Sequence, residues 1–388
     1  MSDANWQFWN PVRVVFEAGA LDHLGDHLDC RRAVLVTTPG FRRRGVVARI
    51  EAALGSRLAG VIDDVQPNPD LRDVDRQGAS LRDLQPDMLI ALGGGSAMDT
   101  AKGLARLLSQ PEGSSLRGHF RDGEVFTDAP ALAITAIPTT SGTGAEVTPF
   151  GTIWDFEQGR KYSVTGQDLF SRVALLDPDL TLGLPEEVTI SSGLDALSHA
   201  LESCWNRAAS PVTLGLVTQS VRLTLDALPR LRTAPDDRDA RARMMEASML
   251  AGLAISQTRT ALAHSISYPL TTEFDLPHGF ACSFTLPALM RFNHEADDGR
   301  IDALARALGH ADVEALAVAI EQLFAELDLT GYLRQWVPDQ ASALGLTERM
   351  FTPGRADNNL RSASREEVEG ILRQSLVARE MPTKSATR

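Results

Sequence analysis

Residues 88–102 read Met-Leu-Ile-Ala-Leu-Gly-Gly-Gly-Ser-Ala-Met-Asp-Thr-Ala-Lys. Met88 to Leu92 is a short continuous apolar run, the pattern of a strand buried on both faces. It passes directly into Gly93, Gly94, Gly95 and Ser96, and then into good helix formers with Asp99 and Lys102 in the first turns. Glycines at such a junction let backbone N–H groups approach a pyrophosphate closely, and the following helix N-terminus adds partial positive charge. A plain tight turn would use the same glycines, but strand, glycines and helix stand here in the order a phosphate cradle needs. The spacing matches neither GxGxxG nor GxxxxGK[ST], so this is a cradle of another kind.

Working outward, Val12–Phe16, Ala33–Thr37, Gly60–Val65, Ala131–Ile137 and Val173–Leu176 read as further strands. Between them fall helical patterns over Leu21–Leu28 (after Gly19), Val46–Leu54, and from the Pro67–Pro69 turn to Leu84. Alternation at this spacing implies βαβ units and a parallel sheet, with ligands bound beyond the carboxyl ends of the strands. The tips after Thr37, Leu92 and Ile137 are therefore the places to look. The last of them opens PTTSGTGAEVT, residues 138–148, where Thr139, Thr140, Ser141 and Thr143 offer hydroxyls and Gly142 and Gly144 allow close backbone approach. Such a loop suits a nucleotide or a nicotinamide ribose. Gly94, Gly95, Ser96, Asp99 and the four hydroxyl residues are the cofactor-binding candidates, with Lys161 from a hairpin-like stretch that follows.

From Pro185 helical periodicity takes over, including Leu214–Leu228, Ala240–Ile255, Ile301–Leu308, Val313–Leu327 and Arg365–Leu376. The expected organisation is an α/β dinucleotide-binding domain over 1–184 and an all-helical domain over 185–388. Ser364 with Glu367 is a capping box for the last helix, and the tail after Met381 is expected to fray.

A length of 388 residues and 43% hydrophobic content allow two well-filled cores. The formal charge of −13 argues against nucleic-acid or anionic-membrane partners, so any anionic ligand must meet a locally basic pocket. Cys30, Cys204 and Cys282 are odd in number and far apart, which favours neither a disulfide framework nor a thiolate metal site and fits a reducing cytoplasm. The N-terminus lacks the basic start and apolar run of a signal peptide, and no apolar run is long enough to span a bilayer.

The chain has eight histidines, and three fall in apolar, small-residue segments. In SGLDALSHALES, Asp195 precedes His199 by four residues, so on a helix both lie on one face and can grip one ion. His264 and His278, in LAHSISYPLTTEFDLPHG, would complete four-fold coordination. Carboxylate and histidine at this spacing more often form an ordinary pair; here it is their company that points to a metal. Nitrogen and oxygen donors without cysteine suit ferrous iron, with zinc possible.

GGGSAMDTAK, PTTSGTGAEVT, GLDALSHALES and LPHG, in this order, resemble the iron-dependent (group III) alcohol dehydrogenase family over nearly the whole chain. The resemblance implies an α/β nucleotide domain, a helical domain, an active site in the cleft between them, and ligation of the metal by Asp195, His199, His264 and His278. It also implies hydride exchange between a nicotinamide and a metal-polarised carbonyl, and, commonly, a homodimer. Two departures matter. Where the family often has an acidic residue after the second strand, this chain has Thr38, with Arg42, Arg43 and Arg44 close behind, so NADPH is expected over NADH. Where many members carry a histidine four residues after the ligand matching His264, this chain has Tyr268, the candidate proton donor.

SQTRTALAHSISYPLT further resembles a subset of that family that reduces phosphonoacetaldehyde to 2-hydroxyethylphosphonate. In that reading Arg259, flanked by Thr258 and Thr260, receives the phosphonate; a structural ion pair is the alternative. Rival readings are a dehydrogenase of short neutral alcohols or diols and a dehydroquinate-synthase-like lyase.

Overall fold

The computed structural model describes residues 5–377; the tail after Met381 lies outside them. Its strands are β1 (Arg13–Phe16), β2 (Ala33–Val36), β3 (Leu58–Ile62), β4 (Met88–Gly93), β5 (Ala133–Pro138), β6 (Phe150–Asp155), β7 (Arg160–Thr165) and β8 (Val173–Leu176). Six of them form one sheet in the order β1-β8-β5-β4-β2-β3, with every neighbouring pair parallel. β6 and β7 pair antiparallel as a separate hairpin. Every residue of β2, β4 and β8 is buried, which is why those segments read as unbroken apolar runs.

Two local expectations shift. β3 ends at Ile62 rather than Val65 because Asp63 and Asp64 turn out of the sheet, Asp64 to accept from Arg76 and Gln77. The helix expected over Leu21–Leu28 is a 3-10 stretch, Ala20–His27, broken by non-helical angles at His23.

The chain divides into two compact units: residues 10–140 with 144–182, and residues from Gly183 onward with the segment ending at Trp9 and Ser141–Thr143. The α/β unit carries α1 (Gly95–Leu108) directly after β4. The helical unit carries α2 (Glu186–Cys204), α3 (Arg238–Thr258), α4 (Leu262–Phe274) and α5 (His278–Ser283). From Gly193 to Cys204 every residue of α2 is buried, so it forms the spine of that unit's core. The Ser364 capping box is present: Glu367 N–H donates to Ser364 Oγ at 3.2 Å and Ser364 N–H to Glu367 Oε2 at 2.8 Å.

Ser141 and Thr143, read from sequence as part of a nucleotide loop, belong with the helical unit. The cause is Gly142, which lies so close to α2 that a Cβ there would stand 2.5 Å from the Ser192 carbonyl oxygen. No helix among the described residues is long and apolar enough to cross a membrane.

One carboxylate of the α/β unit gives a pH prediction. Glu146 is 2% exposed, and burial pushes its pKa up to about 7 although Lys102 pulls the other way. Between its ordinary value of 4.5 and about 7 the folded chain holds a proton that the unfolded chain has lost, so stability falls as pH rises through that window. Glu146→Gln removes the titration. Its advantage over wild type in urea-unfolding free energy should grow by roughly 2 kcal/mol between pH 5.5 and 8. A pH-independent difference would contradict the assignment.

Candidate active site

In the α/β unit the sheet order reverses between β2 and β4, and ligands of doubly wound sheets bind at such a switch point. The two strand tips are tied there by Thr37 Oγ1, which donates to the Leu92 carbonyl at 2.8 Å. α1 starts behind Gly94 with no side chain capping its first turn, so its leading N–H groups are left to face a phosphate or solvent. Gly93 has φ 153°, and a Cβ on Gly94 would stand 3.1 Å from Thr140 Oγ1. Thr139 N–H donates to the Gly93 carbonyl at 3.0 Å, so the GGGS and PTT segments lie side by side. These glycines are required by close backbone approach.

Other cofactor candidates have partners within the unit. Asp99 faces the β6 hairpin: it accepts from Thr152 N–H, and burial raises its pKa to about 7 against the pull of Lys102. It joins α1 to that hairpin. Lys102 is buried and donates to the Ala145 and Phe150 carbonyls, both at 2.7 Å. Lys161 holds its ammonium 3.9 Å from the Trp154 ring centroid, and burial lowers its pKa to about 7. Thr38 caps the short helix Pro39–Arg43 by position alone, and Arg42 there meets Asp63 and Glu51.

In the helical unit the four metal candidates converge. Asp195 Oδ1 lies 3.6 Å from His199 Nε2, 3.5 Å from His264 Nε2 and 3.9 Å from His278 Nε2. Donors about 2.1 Å from a tetrahedral ion stand about 3.4 Å from one another, so the cluster is close to ligand spacing. His264 Nε2 is buried and makes no hydrogen bond, which a cation among these atoms would remedy. Two imidazoles are oriented from behind: His264 Nδ1 lies 2.5 Å from Glu202 Oε2, and His199 Nδ1 lies 3.2 Å from the Gly142 carbonyl. Both partners only accept, so a proton belongs on each Nδ1 and Nε2 is the atom turned to the cluster, where a cation would take the place of any second proton. Burial alone would raise the Asp195 pKa, but the three imidazoles outweigh it and hold the carboxylate well below its usual range. Burial also works against charge on His264, yet Glu202 and Asp195 prevail and push it up to about 10.

The sequence favours no thiolate metal site, yet Cys282 lies in this cluster. Asp195, His264, His278 and Cys282 each offer a donor atom within 4.8 Å of the others, and His199 joins through Asp195. Burial and Asp195 raise the Cys282 thiol far above its usual range, so it serves as a neutral donor to Asp195 Oδ1 at 3.4 Å.

Residues 11–178 match the iron-containing alcohol dehydrogenase family, and residues 189–376 match the C-terminal part of the Fe-containing alcohol dehydrogenase family. The chain belongs to that family. It is similar to the phosphonoacetaldehyde reductase of Streptomyces viridochromogenes, 33% identical over 88% of this chain and 89% of that one. It is likewise similar to a 1-propanol dehydrogenase of Salmonella typhimurium, 34% identical over 78% and 76%. The crystal structure of a sulfoacetaldehyde reductase from Bifidobacterium kashiwanohense in complex with NAD+ superposes with TM-score 0.87, at 30% identity over 96% of this chain and 98% of that one. As an iron-containing alcohol dehydrogenase the chain is an oxidoreductase, and membership implies a divalent metal and a nicotinamide cofactor.

The family's SHALES segment contains a residue the sequence reading passed over. Asp195, His199 and Glu202 fall at i, i+4 and i+7, one ionisable stripe along the buried part of the helix, and that stripe is visible in the sequence. Of the substrate candidates, Thr258 is 3% exposed, with its hydroxyl 3.0 Å from Ser203 Oγ and donating to the Ala254 carbonyl at 3.2 Å. Thr260 is also buried. Arg259 is exposed at the end of α3, and Tyr268 lies with its ring parallel to that of His278, centroids 6.4 Å apart.

Proposed function

We propose that this oxidoreductase reduces a small aldehyde carrying a fixed oxyanion, phosphonoacetaldehyde in the first place, to the corresponding primary alcohol. The observation that carries the reading is the convergence of three imidazole Nε2 atoms on Asp195 Oδ1, with Arg259 following in the same unit. Asp195, His199, His264 and His278 would hold one divalent ion, and their nitrogen and oxygen donors favour Fe2+ over softer metals. When bound, the ion would polarise the carbonyl oxygen and the nicotinamide would supply the hydride.

The chain's own groups prepare that chemistry. Glu202 and the Gly142 carbonyl hold two rings in the productive tautomer, and the Cys282 thiol steadies Asp195. His278 is the open side of the cluster: its side chain is 41% exposed, against 3–7% for the other three. Tyr268, beside it, is the proton donor of this proposal. Support for an oxyanion comes from Arg259 and from the phosphonate and sulfonate aldehydes named for two relatives. NADPH is the proposed hydride donor, since no carboxylate stands at position 38. The pairs that hold Arg42 are solvent-exposed and therefore weak, so a ribose phosphate can displace them. We extend the family's habit of homodimers to this chain, whose β1 is an edge strand ending in exposed Phe16.

One assay tests these points together: oxidation of NADPH or NADH by the iron-loaded enzyme with phosphonoacetaldehyde, sulfoacetaldehyde and propanal. Higher kcat/KM for the charged aldehydes and for NADPH is expected. Equal or better turnover of propanal would return the chain to the neutral-alcohol reading that the 1-propanol dehydrogenase suggests, and a preference for NADH would remove the cofactor assignment.

A further inference from the structure

We propose that Arg355 is the second half of an oxyanion receptor whose first half is Arg259, holding the charged end of the substrate beside Tyr268 and His278. The proposal rests on the charged-aldehyde reading above and names the residue that reads the charge.

Arg355 is remote in sequence and reaches the centre through Tyr268. Its Nε donates to the Tyr268 hydroxyl oxygen at 3.3 Å and its Nη1 to the Gly354 carbonyl at 2.9 Å. Both acceptors are neutral. The nearest carboxylate in sequence, Asp357, instead accepts from Gly354 N–H at 3.2 Å. Elsewhere in this acidic chain arginines commonly take a carboxylate, as Arg121, Arg230, Arg291 and Arg361 do. Among the described residues Arg355 has no such pair, although it adjoins a candidate metal centre.

The two arginines are brought together by one amide. Asn358 Nδ2 donates to the Thr260 carbonyl at 2.8 Å and to the Gly354 carbonyl at 2.9 Å, stapling the turn after α3 to the segment that carries Arg355. Partial desolvation lowers the pKa of the exposed Arg259, and the positive charge of Arg355 lowers it further, so the two cations are within electrostatic reach. Arg259 also stands at φ 60°, ψ 178°, a strained conformation that side chains with a Cβ rarely adopt. The strain is held by Arg259 N–H on the Ile255 carbonyl at 2.8 Å and by Asn206 Nδ2 on the Arg259 carbonyl at 3.3 Å. A fold that strains its backbone and sets two cations against each other recovers the cost when a doubly or singly charged oxyanion sits between the guanidinium forks.

The test compares full-length, iron-loaded wild type with Arg355→Gln, Arg355→Lys, Arg259→Ala and Tyr268→Phe on phosphonoacetaldehyde and propanal. Arg355→Gln and Arg259→Ala should each lower the phosphonoacetaldehyde-to-propanal ratio of kcat/KM by about 30-fold, mainly through KM for the phosphonate. Arg355→Lys, which keeps the charge without the fork, should restore part of that ratio. Tyr268→Phe should lower kcat on both aldehydes and leave the ratio near wild type. If Arg355→Gln lowers both substrates alike, Arg355 only positions Tyr268 and the receptor proposal is overturned, as it is if the phosphonate KM does not move. A wild type indifferent to substrate charge removes the charged-aldehyde reading itself and the receptor with it.

Discussion

Asp195→Ala is expected to leave the purified protein with almost no bound iron or zinc and to lower kcat/KM by more than about a thousandfold, the several kcal/mol that a carbonyl-polarising ion supplies. The reason is geometric: Oδ1 of Asp195 is the atom around which His199, His264 and His278 are gathered at 3.5–3.9 Å. Without its charge three imidazoles would meet with no carboxylate among them to offset a divalent cation, Glu202 lying behind His264. Asp195→Asn keeps the volume and an oxygen for the Cys282 thiol, so it separates loss of charge from loss of packing. Elemental analysis of both variants, run beside steady-state kinetics, gives the answer. An asparagine variant that retained one ion per chain and near-normal turnover would remove Asp195 from the ligand set.

Gly279→Ala should be nearly as damaging although it touches no donor atom. α5 lies so close to α2 that a Cβ on Gly279 would collide with the Ser191 backbone carbonyl. Backbone cannot yield as a flexible side chain does, so the short helix must move away, carrying His278 and Cys282 with it. Overpacking of this kind costs about 1–3 kcal/mol of stability. A displacement of about 1 Å at a reacting centre lowers turnover by about a hundredfold. The expected result is a lower melting temperature, weaker metal retention and a fall in kcat of about that size. Wild-type metal affinity in Gly279→Ala would show that α5 has room the structure denies it.

These two cases mark how far the sequence could be read. Asp195 and His199 were legible as a pair because the helical period converts a spacing of four into a shared face, and Glu202, three residues on, obeyed the same rule without being noticed. His264 and His278 were recognisable by type and setting. Cys282 was not: with no second cysteine near it in sequence it looked inert, and its place beside Asp195 depends on how tightly α5 settles against α2. The partners of Thr258 were equally hidden from the sequence, since helix geometry turns its hydroxyl inward to Ser203 and Ala254. Asp99 is similar: its bond to the hairpin that packs over α1 joins segments that the sequence keeps apart.

By itself, the sequence determined the parallel α/β architecture, the helical unit after it, the glycine cradle behind β4 and the identity of four converging donors. All of these follow from local periodicity, strand alternation and backbone freedom at glycine, which act over a few residues. Only the tertiary structure decided that Ser141–Thr143 sides with the helical unit, that Glu202 and Gly142 aim the imidazoles, and that Asn358 brings Arg355 to Arg259. Those contacts join segments far apart in the chain. Their partners are chosen by the close packing of whole helices, to which each residue contributes a little and no short motif contributes enough.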